Sequence, residues 1–172
     1  MSFLFIDLEM TGLDPVNDHI LEIAAIVTDF DLNEKDLYSS IVHQSDTVLN
    51  NMSKWCHDHF DGPNRLTEQS RRSTVSIIEV EQELLQLLEK YEKPFYLCGN
   101  SVHMDKFFLM QHMPTLTTIL HYRIIDISTI KILTEKWTTI QPIKKSYQHR
   151  AMEDIRESIE ELRMYKETLF SK

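Results

Sequence analysis

The chain has 172 residues, 42% of them hydrophobic and 26% charged, the composition of one ordinary soluble domain with a core of its own. Its formal net charge of -9, from 27 acids against 18 Lys plus Arg, excludes a broad basic groove along long nucleic acid, but not a small anion held at a metal site. No apolar run approaches the roughly 20 residues of a membrane span and no signal segment opens the chain. Cys56 and Cys98 are too few for a disulfide scaffold or a zinc site, so a reducing compartment is expected. That compartment is the cytoplasm, or the mitochondrion if a transit peptide has been removed.

Phe3–Thr11, FLFIDLEMT, reads as a buried strand broken by two acids. Side chains two apart on a strand share a face, so Asp7 and Glu9 point one way and Leu4, Ile6 and Leu8 the other. Buried like charges need a cation or a proton between them, and a hard divalent ion with oxygen ligands suits that need. An acid facing solvent at a strand end is the plainer alternative. Thr11–Pro15 is a turn, and Ile20–Phe30 a long apolar strand interrupted by Glu22, with edge exposure and function equally open for that acid. Asp31–Glu34 turns into a third strand near Leu37–Val42, which makes an antiparallel meander.

Val48–Leu66 is irregular, and its His57 and His59 read as a polar helix surface rather than a metal site. Ser73–Glu92 has helical spacing in Ile77, Val80, Leu84, Leu87, Leu88 and Tyr91. Phe95–Cys98 is a short strand, Met104–Met113 a helix, Leu116–Leu120 a helix or turn and Arg123–Asp126 a strand. Ile127–Trp137 is a helix with Ile130 and Leu133 inward, 138–147 a loop, and Ala151–Phe170 a helix striped by Ile155, Ile159, Leu162 and Tyr165 or Lys166. Strands first and helix–strand units afterwards predict one three-layer α/β domain over 1–172, with a mixed sheet of about five strands flanked by helices.

Asp105, one turn into a helix that follows a strand end, reaches the rim where α/β sheets place their sites. Asp154 lies near the start of the last helix, where the helix dipole alone would favour an acid, and His149, five residues earlier in the loop or first turn, reaches the same rim if that loop folds back. With Asp7 and Glu9 these make four carboxylates and an imidazole, a set that suits two-metal phosphodiester hydrolysis. The acids fix two ions, one activating water and the other stabilising the leaving oxygen, and a near-neutral histidine accepts the water's proton. Asp7, Glu9, Asp105 and Asp154 are therefore assigned to metal and His149 to general base.

The text around these residues resembles the oligoribonucleases, the small-RNA branch of the ribonuclease H-like 3′→5′ exonucleases that carry four acids and a histidine. The matching stretches are FIDLEMTGLDP at 5–15, ILEIAAIVTD at 20–29, VHQSD at 42–46, CGNSVHMDKFF at 98–108, HYRIIDISTIK at 121–131 and HRAMEDIRESIEEL at 149–162. The resemblance implies a ribonuclease H-like fold and a homodimer that removes nucleotides from the 3′ end of very short RNAs, down to dinucleotides, with two Mg²⁺ or Mn²⁺ ions per site. It further implies that Leu13 wedges between two bases and that Trp55 stacks on one. Ser101, Tyr122, Arg123 and Ser128 would hold the substrate 5′-phosphate, partly from the second subunit. Such a cap closes the pocket to longer chains, so few phosphates are engaged and an acidic protein can act on RNA.

Two departures stand out. A family histidine that helps hold the 5′ end falls near Phe60, with His59 beside it and the local spacing changed by one residue, and the loop IQPIKKSYQ before His149 lacks the glycine often found there. An aspartyl-phosphatase built on Asp7-x-Glu9-x-Thr11 would need an aspartate as its second acid. A non-catalytic nucleic-acid-binding domain retaining the fold is the remaining alternative, and the full set of acids with His149 speaks against it. Trp137, Tyr147 and Ile140–Ile143 are apolar residues available to a dimer contact.

Overall fold

The two-residue period of the first strand is realised in the computed structural model, which describes residues 2–63, 65–141, 143 and 150–170. Strand β1 (Phe3–Met10) pairs antiparallel with β2 (Ile20–Thr28), and β2 antiparallel with β3 (Glu34–Ile41). On the other side of β1, β4 (Phe95–Gly99) and β5 (Leu120–Asp126) add in parallel, giving a mixed five-stranded sheet in the order β3-β2-β1-β4-β5. The expected α/β architecture is the observed one.

Helices cover both faces. They are α1 (Asp46–Asn50), α2 (Lys54–Phe60), α3 (Leu66–Arg72), α4 (Ile77–Leu88), α5 (His103–His112), α6 (Pro114–Thr117), α7 (Ile127–Trp137) and α8 (Ala151–Leu169). Leu4, Ile6 and Leu8 of β1 pack with Val80, Leu84 and Leu88 of α4 and Phe108 and Leu109 of α5. Phe5 packs the opposite way with Ala24 and Ile26 of β2 and with Ile155, Ile159, Leu162 and Tyr165 of α8. This partition sends Asp7 and Glu9 to the α8 side, because they share the parity of Phe5.

Several boundaries moved for local reasons. The stretch read as irregular holds α1 and α2, each begun by a serine that accepts from a backbone N–H one turn on. Helix α4 starts at Ile77 rather than Ser73, because Ser76 and Glu79 form a capping box and Ser73 Oγ instead donates to Ile41 O at 2.7 Å. Strand β2 stops at Thr28, where the Asp29 carboxylate accepts from the N–H groups of Asp31 and Asn33 at 2.9 and 3.0 Å and shapes the turn. Strand β5 begins earlier than expected because it is the sheet edge and shows little apolar alternation. Leu133, read as inward, is 38% exposed and lines a hollow with Ile130, Trp137 and Phe170. Pro142, Lys144, Lys145, Tyr147 and His149 lie outside the described residues.

Candidate active site

Three of the four acids converge. Asp7 and Glu9 project from β1 toward the first turn of α8, and there they meet Asp154, with ligand oxygens of all three within 4.8 Å of one another. Glu9 is only 8% exposed. Burial first, then the charges of Asp154, Glu22 and Asp105, push its carboxyl up to about 8, against the opposing pull of Arg150. A carboxylate so disfavoured is one that a divalent cation would stabilise, and acidic oxygens at this spacing are the donors a hard ion takes.

Asp105 reaches the same rim from the first turn of α5 and stands beside this cluster rather than within it. Strand β4 pairs with β1 only at Phe3, Leu4 and Phe5, so the N–H of Leu8, farther along, bonds a side chain instead. Asp105 Oδ1 accepts it at 3.0 Å. At 6% exposure, burial raises the Asp105 carboxyl above its ordinary range. His149 lies outside the described residues, and Arg150 after it caps the start of α8.

A hollow of about 740 Å³ opens from Glu9 between the 11–18 turn and α2, lined by Leu13, Asp18, Trp55, Cys56 and Phe60 among others. Its turn is fixed by Asp18, whose carboxylate accepts from Thr11 Oγ1 at 3.0 Å and from Asp14 N at 2.9 Å. A Cβ on Gly12 would run into that carboxylate, so glycine is needed there. Leu13 and Trp55 are 72% and 54% exposed, and the indole stacks on His59 at 3.8 Å. Phe60 is buried with Leu21, Leu49 and Leu66 and lines the hollow, whereas His59 flanks the indole.

A second group forms at the end of β4. Ser101 adopts a left-handed backbone, φ 52°, and its N–H donates to Asp126 Oδ1 at 3.0 Å and to Ser128 Oγ at 2.9 Å. The Ser101 and Ser128 hydroxyls lie 3.2 Å apart. Tyr122 is 71% exposed on the β5 edge, with the Arg123 guanidinium over its ring at 4.9 Å. Among the described residues no ion pair of Arg123 to a surface acid is found, so its planar cation faces outward.

Two sets of supporting residues had been missed or left open. Glu22, a candidate for edge exposure, is 2% exposed in an inner strand and grips Arg150, with Nη2 to Oε1 at 2.8 Å and Nε to Oε2 at 3.0 Å. Its signal was an acid amid ILEIAAIVT, a strand buried at every position. Asn100 joins the Ser101 corner to α8. It accepts from Ser128 Oγ at 3.2 Å and donates to Ser158 Oγ at 2.8 Å and to the fully buried Glu161 at 3.2 Å. Only the polar interruptions Ser158 and Glu161 on the apolar side of α8 hinted at that network.

Comparison with known proteins agrees with this geometry. A family model described as exonuclease matches residues 4–162. A probable oligoribonuclease of Dictyostelium discoideum is 47% identical over 171 residues, 97% of this chain and 90% of that protein. The oligoribonuclease of Pseudomonas syringae pv. syringae is 45% identical, over 96% of this chain and 94% of its own. The mitochondrial oligoribonuclease of Mus musculus is 44% identical, over 98% and 73%. Among solved structures, E. coli exonuclease I in complex with a dA16 oligonucleotide superposes with a TM-score of 0.75 at 16% identity, covering 98% of this chain and 41% of that one. Exonuclease I from Methylocaldum szegediense gives 0.76 at 15%, with 99% and 41% covered. The chain thus spans about two fifths of these exonuclease I chains, and the likeness to them is one of fold.

Fold and family model define a ribonuclease H-like exonuclease with an acidic cluster where strand β1 meets the first turn of α8. Within that class, identity of 44 to 47% over nearly the whole chain decides the branch. The chain belongs to the oligoribonuclease family.

Proposed function

We propose that the protein is a 3′→5′ exoribonuclease that hydrolyses very short RNAs, dinucleotides above all, to nucleoside 5′-monophosphates, with residues 1–172 acting as one exonuclease domain. The observation that carries this reading is the meeting of Asp7, Glu9 and Asp154 at the mouth of an apolar hollow, with Asp105 beside them. In it, Asp7, Glu9, Asp105 and Asp154 hold two Mg²⁺ or Mn²⁺ ions, which supply Lewis acidity at the scissile phosphate when bound.

The chain's own residues do the rest. Leu13 and Trp55 offer flat or branched apolar surface to the two bases, so the terminal phosphodiester is carried to the acids by stacking rather than by sequence readout. His149, as neutral imidazole, takes the proton of the attacking water. Ser101, Ser128, Tyr122 and Arg123 receive the 5′-phosphate, Arg123 by its planar fork. A substrate anchored at both ends leaves no exit for a longer chain, so length selection follows from the cap.

Tyr122 and Arg123 stand on the open β5 edge, and Trp137 is 76% exposed, which supports a homodimer whose second subunit completes the pocket. Sedimentation showing only 20 kDa particles would remove that part. Among the described residues no helix is long and apolar enough to cross a membrane. Two free, buried cysteines suit a reducing compartment, the cytoplasm or an organelle matrix. The deciding experiment is product analysis on 5′-phosphorylated RNAs of two to seven nucleotides, with Mn²⁺ and with chelator. Mononucleotide release fastest from the dinucleotide and abolished by chelator is expected, and chelator-resistant release or no release overturns the reading.

A further inference from the structure

Glu22 is the fifth carboxylate near the acids, and the proposed chemistry has no use for it. It sits directly across from Glu9 in the β1–β2 register, where facing Cβ atoms of an antiparallel pair lie about 5 Å apart. Both of its oxygens are engaged by Arg150, and Oε2 also accepts the N–H of Ala151 at 3.3 Å. Arg150 in turn stands one helical turn before Asp154, whose N–H donates to Arg150 O at 3.0 Å. Its guanidinium is held by Glu22, and the charges of Glu153 and Glu9 also act on it.

We propose that Glu22 is a positioning residue that sequesters Arg150, keeping a permanent cation off Glu9 so that its carboxylate can take a divalent metal. A guanidinium cannot be deprotonated to yield its place. Released from Glu22, it would pair with the nearest acid of the cluster and compete with the metal from within the chain. Arg150 already draws down the Glu9 carboxyl from its present position, so its field reaches the site. The grip on Glu22 also fixes where α8 begins. A two-toothed pair with one backbone N–H added is a better-defined anchor than a single contact would be.

This inference rests on the metal-site reading of Asp7, Glu9 and Asp154. Its test is direct Mn²⁺ binding by calorimetry to the full-length protein, without substrate, in five forms: wild type, Glu22→Gln, Arg150→Met, Glu22→Gln/Arg150→Met and Asp7→Ala. Glutamine keeps the shape and can still accept from Ala151, so the fold should persist, as near-equal thermal midpoints will report. Expected is Mn²⁺ affinity about tenfold weaker in Glu22→Gln, the scale of one displaced charge interaction, and restored to within about threefold of wild type in the double variant. Arg150→Met, which lacks the competitor, should bind at least as tightly as wild type. Unchanged affinity in Glu22→Gln overturns the proposal. A double variant as weak as Glu22→Gln overturns it too, because the loss would not come from Arg150. Mn²⁺ binding that persists at wild-type strength in Asp7→Ala overturns the metal-site reading itself.

Discussion

Asp105 accepts the backbone N–H of Leu8 at 3.0 Å and so ties α5 to the strand that carries Asp7 and Glu9. The bond exists because β4 leaves β1 after Phe5, and a buried N–H without a strand partner must be satisfied by a side chain. The structural duty and the proposed metal-binding one then fall on one carboxylate and can be separated. Asp105→Asn keeps an acceptor for Leu8 and should unfold in urea within about 1 kcal/mol of wild type, while dinucleotide cleavage falls by two orders of magnitude or more. Asp105→Ala should lose activity and also roughly 1–3 kcal/mol of stability, because the N–H is left unmet. Full cleavage by Asp105→Asn would remove Asp105 from the metal-binding acids.

Burial and neighbouring charge hold the Glu9 carboxyl up to about 8 in the metal-free protein, against about 4.3 in an unfolded chain. Between those values the folded state binds the extra proton. This contribution to stability is complete at acid pH and is lost as pH rises through about 8. Chelator-treated protein should therefore show a falling thermal midpoint from about pH 5 to about pH 8, and saturating Mn²⁺ should flatten the slope. Glu9→Gln, which cannot ionise, should flatten it without metal. A slope of equal size in Glu9→Gln would locate its source elsewhere.

Leu13 and Trp55 project from the walls of the hollow and contribute little to the core. Trp55→Ala should leave the thermal midpoint nearly unchanged yet weaken dinucleotide binding by roughly five- to hundredfold, the worth of one stacked base. Leu13→Ala should act in the same direction and less strongly. Binding of a non-hydrolysable dinucleotide, followed by intrinsic fluorescence or calorimetry, gives the answer. Unaltered affinity in Trp55→Ala would move base recognition to another surface.

Asn100 links the Ser101–Ser128 corner to Ser158 and the buried Glu161, and Ser158 Oγ donates onward to Asp154 O at 2.8 Å. Asn100→Ala would strip a donor from a carboxylate that water cannot reach, and about 1–3 kcal/mol of stability should go with it. Arg123→Ala, on the exposed β5 edge, should cost almost nothing in stability but abolish any preference for a 5′-phosphate over a 5′-hydroxyl on the dinucleotide. Chemical denaturation measures the first, and paired cleavage assays the second. A preference that outlives Arg123→Ala would exclude the guanidinium from phosphate recognition.

How far the sequence could be read varied with the range of the interactions involved. The parity of Leu4, Ile6 and Leu8 against Asp7 and Glu9 was legible because a strand's period is local, and the stripe of Ile155, Ile159, Leu162 and Tyr165 was legible because a helix's is too. The start of α4 was missed although Ser76 and Glu79 spell a capping box, since the apolar run overshadowed the cap. Leu133 was misplaced because helical spacing identifies an apolar side without saying whether anything covers it.

The sequence by itself determined the strands, the long helices and the α/β class, which follow from short-range periodicity, and its motifs carried the resemblance that singles out the acids and the proposed substrate residues. Only the tertiary structure decided that Asp154 comes within reach of Asp7 and Glu9, that Asp105 binds Leu8, and that Glu22 is paired with Arg150 across 128 residues. Those outcomes depend on which strand neighbours which and where α8 crosses the sheet. They are set by the collective burial of the core, which no short window of sequence contains.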